Sequence, residues 1–248
     1  MDFCIVSKDD RYVEVNKCLC KLGYTSKICS PSNAGGDCVI LSVRDELTPS
    51  EKATLFSRVG KNALVFCGKK ESVAPYFNGN IVEYSSNEGF LYENACLTAE
   101  AAISYLHTLT KDTLRGKAVL VSGYGRIGCA LCRLFSALGA DVFTYVRREP
   151  VKKEAESNGY TCVGLGNLSI YDLIINTVPA VIYTAEMIDN IPLSTYIVDL
   201  ASKPYGFASL DRVNIASALP GKILPLGAAH VILDTIISCL SSLERDSQ

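Results

Sequence analysis

The sequence carries little net charge, few histidines and no basic clusters. Of its 248 residues, 24 are Lys or Arg and 26 are Asp or Glu, giving a net charge of −2. A nucleic-acid footprint needs a basic excess, so none is expected. No apolar run is read as reaching membrane-spanning length. The N-terminus, Met1-Asp-Phe-Cys-Ile-Val-Ser7, opens directly on a strand-like run. With no basic region ahead of a long apolar one, no signal peptide is expected, and the cytoplasm is the expected compartment. The only histidines are His107 and His230. His107 falls within a helical stretch and reads as structural, and His230, near the start of the last helix, is a weak catalytic candidate. Internal repeats and low-complexity segments are absent.

Cysteine is plentiful by contrast, with eleven in the chain. Most sit in apolar segments, namely Cys4, Cys18, Cys20, Cys38, Cys67, Cys129, Cys132 and Cys239. In a reducing compartment free cysteine behaves as a small buried hydrophobe. Cys129-Ala-Leu-Cys132 has C-x-x-C spacing but lies in the first two turns of a helix. No second Cys/His pair stands at zinc spacing, so core packing is expected and no metal site.

The apolar pattern alternates strand and helix, which predicts two open, mostly parallel α/β domains with helices on both faces of each sheet. Phe3–Val6 reads as a strand. Helical spacing over Asp9–Leu22 buries Val13, Val15, Cys18, Leu19 and Leu22, and Gly23 ends that helix. Val39–Val43 and Ala63–Cys67 are further strands. Thr48 is an N-cap with Pro49 at the first helical position. A helix is expected over Ala99–Leu109, opening at Thr98. Strands follow at Ala118–Ser122, Asp141–Val146, Thr161–Val163, Leu173–Asn176, Ile197–Leu200 and Asn214–Ser217. A last helix over Ala228–Leu243 is expected to pack back on the first domain, and the tail Glu244–Gln248 to fray. The expected domains are a flavodoxin-like α/β domain over 1–110, a Rossmann domain over 111–226 and a C-terminal helix over 227–248.

The most informative stretch is Gly116-Lys-Ala-Val-Leu-Val-Ser-Gly-Tyr-Gly-Arg-Ile-Gly128. The predicted strand runs into Gly123-Tyr124-Gly125-Arg126-Ile127-Gly128, and a helix follows. In that context G-x-G-x-x-G points to dinucleotide binding. Gly123 allows the tight turn, Gly125 lets the backbone approach a pyrophosphate, and Gly128 lets helix and strand pack closely. The helix N-terminus offers free N–H groups to the phosphates. NAD sites usually place an acidic residue about twenty residues beyond the glycines, to hold the ribose 2′-OH. Here Arg147-Arg148 stands in that place. A guanidinium suits a 2′-phosphate, which favours NADP and leaves NAD open.

Two other strand ends stand out. They are Asn176-Thr177-Val178-Pro179, and Asp199-Leu200-Ala201 followed by Ser202-Lys203-Pro204. Ligands of open α/β sheets bind beyond the carboxyl ends of strands. These residues are therefore candidate contacts for the nicotinamide and its ribose, with loop capping an equal alternative for Asn176 and Asp199. Lys203 is a candidate for holding a substrate carboxylate or moving a proton. Leu219-Pro-Gly-Lys222, between the last strand and the last helix, adds Lys222 as a second cation for an anionic substrate.

The chain resembles the A-subunit family of dipicolinate synthase. The match is carried by Gly123-Tyr-Gly-Arg-Ile-Gly128, Ile175-Asn-Thr-Val-Pro-Ala180, Val198-Asp-Leu-Ala-Ser-Lys-Pro204, Leu219-Pro-Gly-Lys222 and Tyr92-Glu-Asn-Ala-Cys-Leu-Thr-Ala-Glu100. The resemblance runs from about Leu64 to about Leu240. The chain departs from the family pattern at Leu97 (usually Pro), Ala101 (usually Gly), Tyr205 (Lys-Pro-Gly-Gly in the family) and after Pro225. The cofactor side is kept and the substrate side altered.

The resemblance implies a sporulation oxidoreductase that converts dihydrodipicolinate to dipicolinate with NAD(P). It also implies a small dicarboxylate substrate, makes the flavoprotein-like B-subunit of dipicolinate synthase the expected partner, and leaves room for a homo-oligomer. Asn94 and Thr98 are then candidates for hydrogen-bonding the substrate, and Glu100 for a base if burial raises its pKa. Helix capping is the alternative for Thr98. A non-catalytic, NADP-binding subunit that scaffolds or senses redox state for a partner enzyme is the competing reading.

Overall fold

Short apolar runs form the strands and the segments between them form the helices, in two units. The computed structural model describes residues 1–246. One unit is Met1–Asn94 together with the chain from Leu224 on, and the other is Ala95–Ile223.

The first unit contains β1 (Asp2–Val6), α1 (Arg11–Lys21), β2 (Thr25–Ile28), β3 (Cys38–Leu41), α2 (Pro49–Phe56), β4 (Leu64–Cys67) and β5 (Asn80–Glu83). The strands pair in the order β2-β1-β3-β4-β5, every pair parallel. Strand side chains alternate between faces. Phe3, Ile5, Cys38, Ile40 and Phe66 pack with Tyr12, Val15 and Leu19 of α1. Ala229, Ile232, Leu233, Ile236 and Leu240, from the final helix, join that same face. Cys4, Val6, Val39, Leu41 and Val65 face the other way, onto Leu55 and Phe56 of α2. Each large apolar side chain so buried contributes roughly 1.5–3 kcal/mol. The start of α2 is fixed as its sequence predicts. Thr48 Oγ1 accepts from Glu51 N at 3.3 Å and Thr48 N donates to Glu51 Oε2 at 2.8 Å, a reciprocal capping box with Pro49 in the first turn.

The long helix α3 (Glu88–Thr110) starts in the first unit and continues into the second. The second unit then has β6 (Ala118–Ser122), α4 (Arg126–Ala137), β7 (Asp141–Tyr145), α5 (Glu149–Ser157) and β8 (Thr161–Cys162). It continues with β9 (Leu173–Asn176), α6 (Ala185–Asp189), β10 (Tyr196–Asp199), β11 (Asn214–Ile215) and α7 (Leu219–Ile223). Its sheet order is β11-β10-β9-β6-β7-β8, again all parallel. This is the doubly wound order in which strand sequence reverses between β6 and β9. Two α/β sheets, the second of Rossmann type, are thus present. Helix α8 (Pro225–Asp246) returns to the first unit.

Several expectations are corrected. In α1 the buried stripe is Tyr12, Val15 and Leu19, while Val13 and Leu22 are exposed. Positions 12, 15 and 19 share one face at 3.6 residues per turn, and 13 lies about 100° off it. Cys20 is also exposed. Helix α3 begins at Glu88, not Ala99, because its one glycine, Gly89, falls in the first turn and neither glycine nor proline interrupts Phe90–Thr98. Leu219–Ile223, between the last strand and the last helix, forms a short helix of its own. Over Pro225–Arg245, α8 is long and apolar enough to span a membrane by length and composition, against the expectation that no run is. Its buried face belongs to the core of the first unit. Of the tail expected to fray, Glu244–Asp246 is helical, and Ser247 and Gln248 lie outside the described residues.

Candidate functional site

The site is built where β6 meets α4, beside the end of β9. Gly123 has φ +96°, and its N–H donates to Tyr145 O at 2.9 Å. A Cβ there would lie 2.5 Å from Thr177 Oγ1 and 2.9 Å from Val178 Cγ2. A Cβ on Gly128 would overlap the Gly123 carbonyl. Both positions therefore require glycine, for backbone conformation at Gly123 and close packing at both.

Gly125 differs. It is the N-cap residue of α4, has no side-chain cap, and a Cβ there would meet nothing within 4 Å. The first-turn N–H groups of α4 have no intrahelical acceptors. Open space at the positive end of a helix dipole fits a pyrophosphate. Arg126 is exposed and Ile127 half-buried. Tyr124 turns inward, its hydroxyl accepting from Asn158 Nδ2 at 3.2 Å, so it offers the loop only its backbone.

Arg147 and Arg148 follow β7 and are exposed, with Arg148 at the N-cap position of α5. Among the described residues, neither side chain makes a hydrogen bond or ion pair. Two guanidinium groups stand uncommitted at the end of the strand next to β6.

The ends of β9 and β10 are tied to each other. Asn176 and Asp199 are fully buried. Asn176 Nδ2 donates to Val178 O at 2.9 Å and to Asp199 Oδ1 at 3.1 Å, and Val178 N donates back to Asn176 Oδ1 at 3.1 Å. Asp199 accepts from Ala201 N at 2.8 Å and Gly206 N at 2.7 Å. Burial pushes the Asp199 carboxyl above its ordinary pKa, against the lowering effect of these hydrogen bonds. The side chains of Asn176 and Asp199 are thus engaged in shaping two loops, as the loop-capping alternative has it.

Thr177 Oγ1 donates to Ser122 O at 2.8 Å and walls the glycine turn. Val178 is half-buried beside it and Pro179 is exposed, while Leu200 and Ala201 are buried. Sequence reasoning does not single out Gly206. A Cβ there would overlap the Asn176 amide, so glycine is what lets the β10 loop close on β9. The glycine that follows Lys203-Pro204-Tyr205, kept where the family pattern has one, is the available signal. The buried Ser122–Tyr183 hydroxyl pair beneath the loop has no local sequence signal.

The residues expected to act on substrate are less tightly grouped. Lys203 is exposed, its ammonium 6.0 Å from the centre of the Tyr205 ring, and Lys222 is exposed on α7. Thr98 lies in the middle of α3, so the helix-capping alternative does not apply to it. It is buried on the face formed by Ala95, Ala99, Ala102 and Leu106, and Asn94 is half-buried one turn earlier. Glu100 projects from the other, exposed face. The expected grouping of Glu100 with Asn94 and Thr98 is therefore corrected, because a step of two residues turns a helix by about 200°.

Residues 95–196 match the family described as D-isomer specific 2-hydroxyacid dehydrogenase, NAD binding domain. The chain is 25% identical over 235 residues to the dipicolinate synthase A-subunit of Bacillus subtilis (strain 168), covering 89% of this chain and 79% of that one. It is also similar to the crystal structure of the dipicolinate synthase A-subunit from Bacillus halodurans, with TM-score 0.80 and 21% identity over 96% of this chain and 97% of that one. The apo-structure of D-lactate dehydrogenase from Escherichia coli shares the fold at TM-score 0.62 and 14% identity, over 99% of this chain and 98% of that one. The chain is thus similar along most of its length to the dipicolinate synthase A-subunit, and most of its second unit matches the NAD binding domain of D-isomer specific 2-hydroxyacid dehydrogenases.

Proposed function

We propose that the chain is an NADP-dependent oxidoreductase that converts dihydrodipicolinate, or its hydrated precursor, to dipicolinate during sporulation. In this reading it acts in the cytoplasm, and its partner is the flavoprotein-like B-subunit of dipicolinate synthase. The observation that carries the reading is the similarity to the dipicolinate synthase A-subunit over 89% of the chain, combined with an intact glycine cradle in this one.

Oxidation of a dihydropyridine removes a hydride and a proton, and the aromatic product makes the step favourable. When bound, the nicotinamide would accept the hydride. The chain's own part is to hold the dinucleotide, orient the ring and neutralise two carboxylates. In this proposal the first-turn N–H groups of α4 bind the pyrophosphate, and Arg147 and Arg148 take the 2′-phosphate. Thr177, Val178, Pro179, Leu200 and Ala201 form the wall for the nicotinamide ribose. Lys222 pairs with a substrate carboxylate, and Lys203 pairs with the other or receives the proton. Asn94 and Thr98 hydrogen-bond the substrate. Glu100, on its exposed face, is not given the base role.

A second reading is a non-catalytic NADP-binding subunit. The substitutions at Leu97, Ala101 and Tyr205 favour it, since they alter the substrate side and leave the cradle whole. Single-turnover absorbance separates the two. Protein, NADP and enzymatically generated dihydrodipicolinate are mixed, and absorbance is followed at 340 nm. A stoichiometric rise is expected. No rise in the presence of measurable NADP binding would leave only the second reading.

A further inference from the structure

The C-x-x-C spacing of Cys129-Ala-Leu-Cys132 has no part in the proposed chemistry, and the structure does not bury its two thiols evenly. Cys132 is fully buried, as core packing predicts. Burial, with smaller contributions from Cys129 and Cys162, pushes its thiol up to about 12. Cys129 is only half-buried. It stands one residue beyond Gly128, where α4 leaves the glycine loop, and its N–H donates to Gly125 O at 2.8 Å.

The Cys129 thiol is tied to that loop. Tyr124, between Gly123 and Gly125, turns its ring inward against Tyr160, with centroids 5.7 Å apart. Its hydroxyl accepts from Asn158 Nδ2 at 3.2 Å and also hydrogen-bonds the Cys129 sulfur. The middle of the glycine loop is thus held to the start of α4 through a hydroxyl–thiol contact. A change at the Cys129 sulfur acts on the cradle.

Helix geometry brings Cys129 and Cys132 within reach of each other. Cα atoms three residues apart in an α-helix are separated by about 5 Å, inside the range of roughly 4.4–6.8 Å that a disulfide spans. Their Cβ atoms stand about 5–6 Å apart, whereas a disulfide draws them to about 3.5–4.5 Å. Bond formation therefore tightens this turn of the helix. Cys132 is packed on all sides and Cys129 is not, so the movement falls on Cys129 and the start of α4. The third thiol nearby, Cys162 on β8, is engaged with Lys152 O at 3.7 Å.

We infer that Cys129 and Cys132 form a thiol-oxidation site through which a low-molecular-weight disulfide lowers the dinucleotide affinity of the second unit. This rests on the dinucleotide site proposed above, not on the oxidation of dihydrodipicolinate, and it adds regulation to that site. The Cys129 sulfur attacks one sulfur of the small disulfide and forms a mixed disulfide, and the other half leaves as a thiol. The Cys132 sulfur then attacks Cys129, closing the Cys129–Cys132 bond and expelling the second half as a thiol. The protein gives up two electrons and two protons, and both are carried off by the two small thiols. Excess small thiol runs the same exchange backwards. In the closed form Tyr124 loses its thiol partner and the first turn of α4 is drawn out of its pyrophosphate-binding shape.

The test uses the full chain, oxidised with glutathione disulfide and re-reduced with dithiothreitol, in wild type, C129S, C132S and C162S. Peptide mass mapping locates the bond, thermal melts confirm that each form is folded, and calorimetry gives NADP and NAD affinities. The expected result is a Cys129–Cys132 bond in wild type and C162S. NADP Kd should rise roughly tenfold or more, the effect of losing one charge-assisted hydrogen bond to a phosphate, and return with dithiothreitol. C129S should bind as reduced wild type does before and after oxidation, and C132S should halt with glutathione on Cys129. Absence of the Cys129–Cys132 bond overturns the site, as does a loss of affinity that persists in C129S. A bond that leaves affinity unchanged, or that unfolds the chain, overturns its control of the dinucleotide. If reduced wild type binds neither NADP nor NAD, the dinucleotide reading itself falls and the control falls with it.

Discussion

The two sheets share a parallel, doubly wound logic but finish their carboxyl edges in opposite ways. In the second unit the edge at β6 is kept open. Glycines hold the turn, Gly125 opens on free space at the start of α4, and the buried carboxylate of Asp199 is turned in to serve the loops. In the first unit the edge at β1 and β3 is filled with side chains. Ser7 Oγ lies 2.7 Å from Ser42 Oγ, and Asp9 clasps Arg11. The Tyr12 hydroxyl bonds that of Tyr84 and accepts from Val43 N at 2.7 Å. An open edge with backbone donors suits a flexible pyrophosphate, whereas the first unit's edge spends its polar side chains on one another.

The contrast breaks most sharply within the glycine loop itself. Gly128→Val drives a branched side chain into the Gly123 carbonyl, and a loss of about 3 kcal/mol or failure to fold is expected in chemical denaturation. Gly125→Ala meets open space and removes only a glycine cap, so its stability cost stays under about 1 kcal/mol. Its methyl group nevertheless occupies the path of the pyrophosphate, and dinucleotide affinity should fall at least tenfold in the folded protein. Retained affinity in G125A would show that the backbone does not approach the phosphates there.

A smaller effect tests the filled edge of the first unit. Burial opposes ionisation of Asp9, but the hydrogen bonds and charge of Arg11 outweigh it and hold the carboxyl below its ordinary pKa. A lowered folded pKa means that this stabilisation is complete above the unfolded value of about 3.9 and is lost as pH falls through the folded value. Wild type and D9N should therefore differ in melting temperature at pH 7, and the difference should shrink below about pH 4. A difference independent of pH would mean that packing, and not the ion pair, is what Asp9 supplies.

Much of this is legible in local sequence because local physics fixes it. The run Leu-Ile-Ile-Asn of β9 reads as a strand to its true ends, and the Thr48-Pro49 helix start reads at its true residue. The edge strands β2 and β5, Thr-Ser-Lys-Ile and Asn-Ile-Val-Glu, escape such reading because edge strands carry little apolar signal. The early start of α3 escapes it because Glu88–Leu97 has weak amphipathic pattern, and the placing of Glu100 fails with it. At the site, the glycines announce themselves by spacing. The inward turn of Asn176 and Asp199 and the Gly206 closure depend on neighbours far along the chain, which no local window contains.

The central claim is that the second unit's open edge holds a dinucleotide whose 2′-phosphate is met by Arg147 and Arg148. Titration of NADP and NAD into wild type and the R147A/R148A double variant tests it most directly. NADP affinity is expected to fall at least tenfold while NAD affinity changes by less than about threefold, since each lost charge-assisted hydrogen bond is worth roughly 1.5–3 kcal/mol. Equal losses for the two cofactors, or no loss for either, would contradict the account.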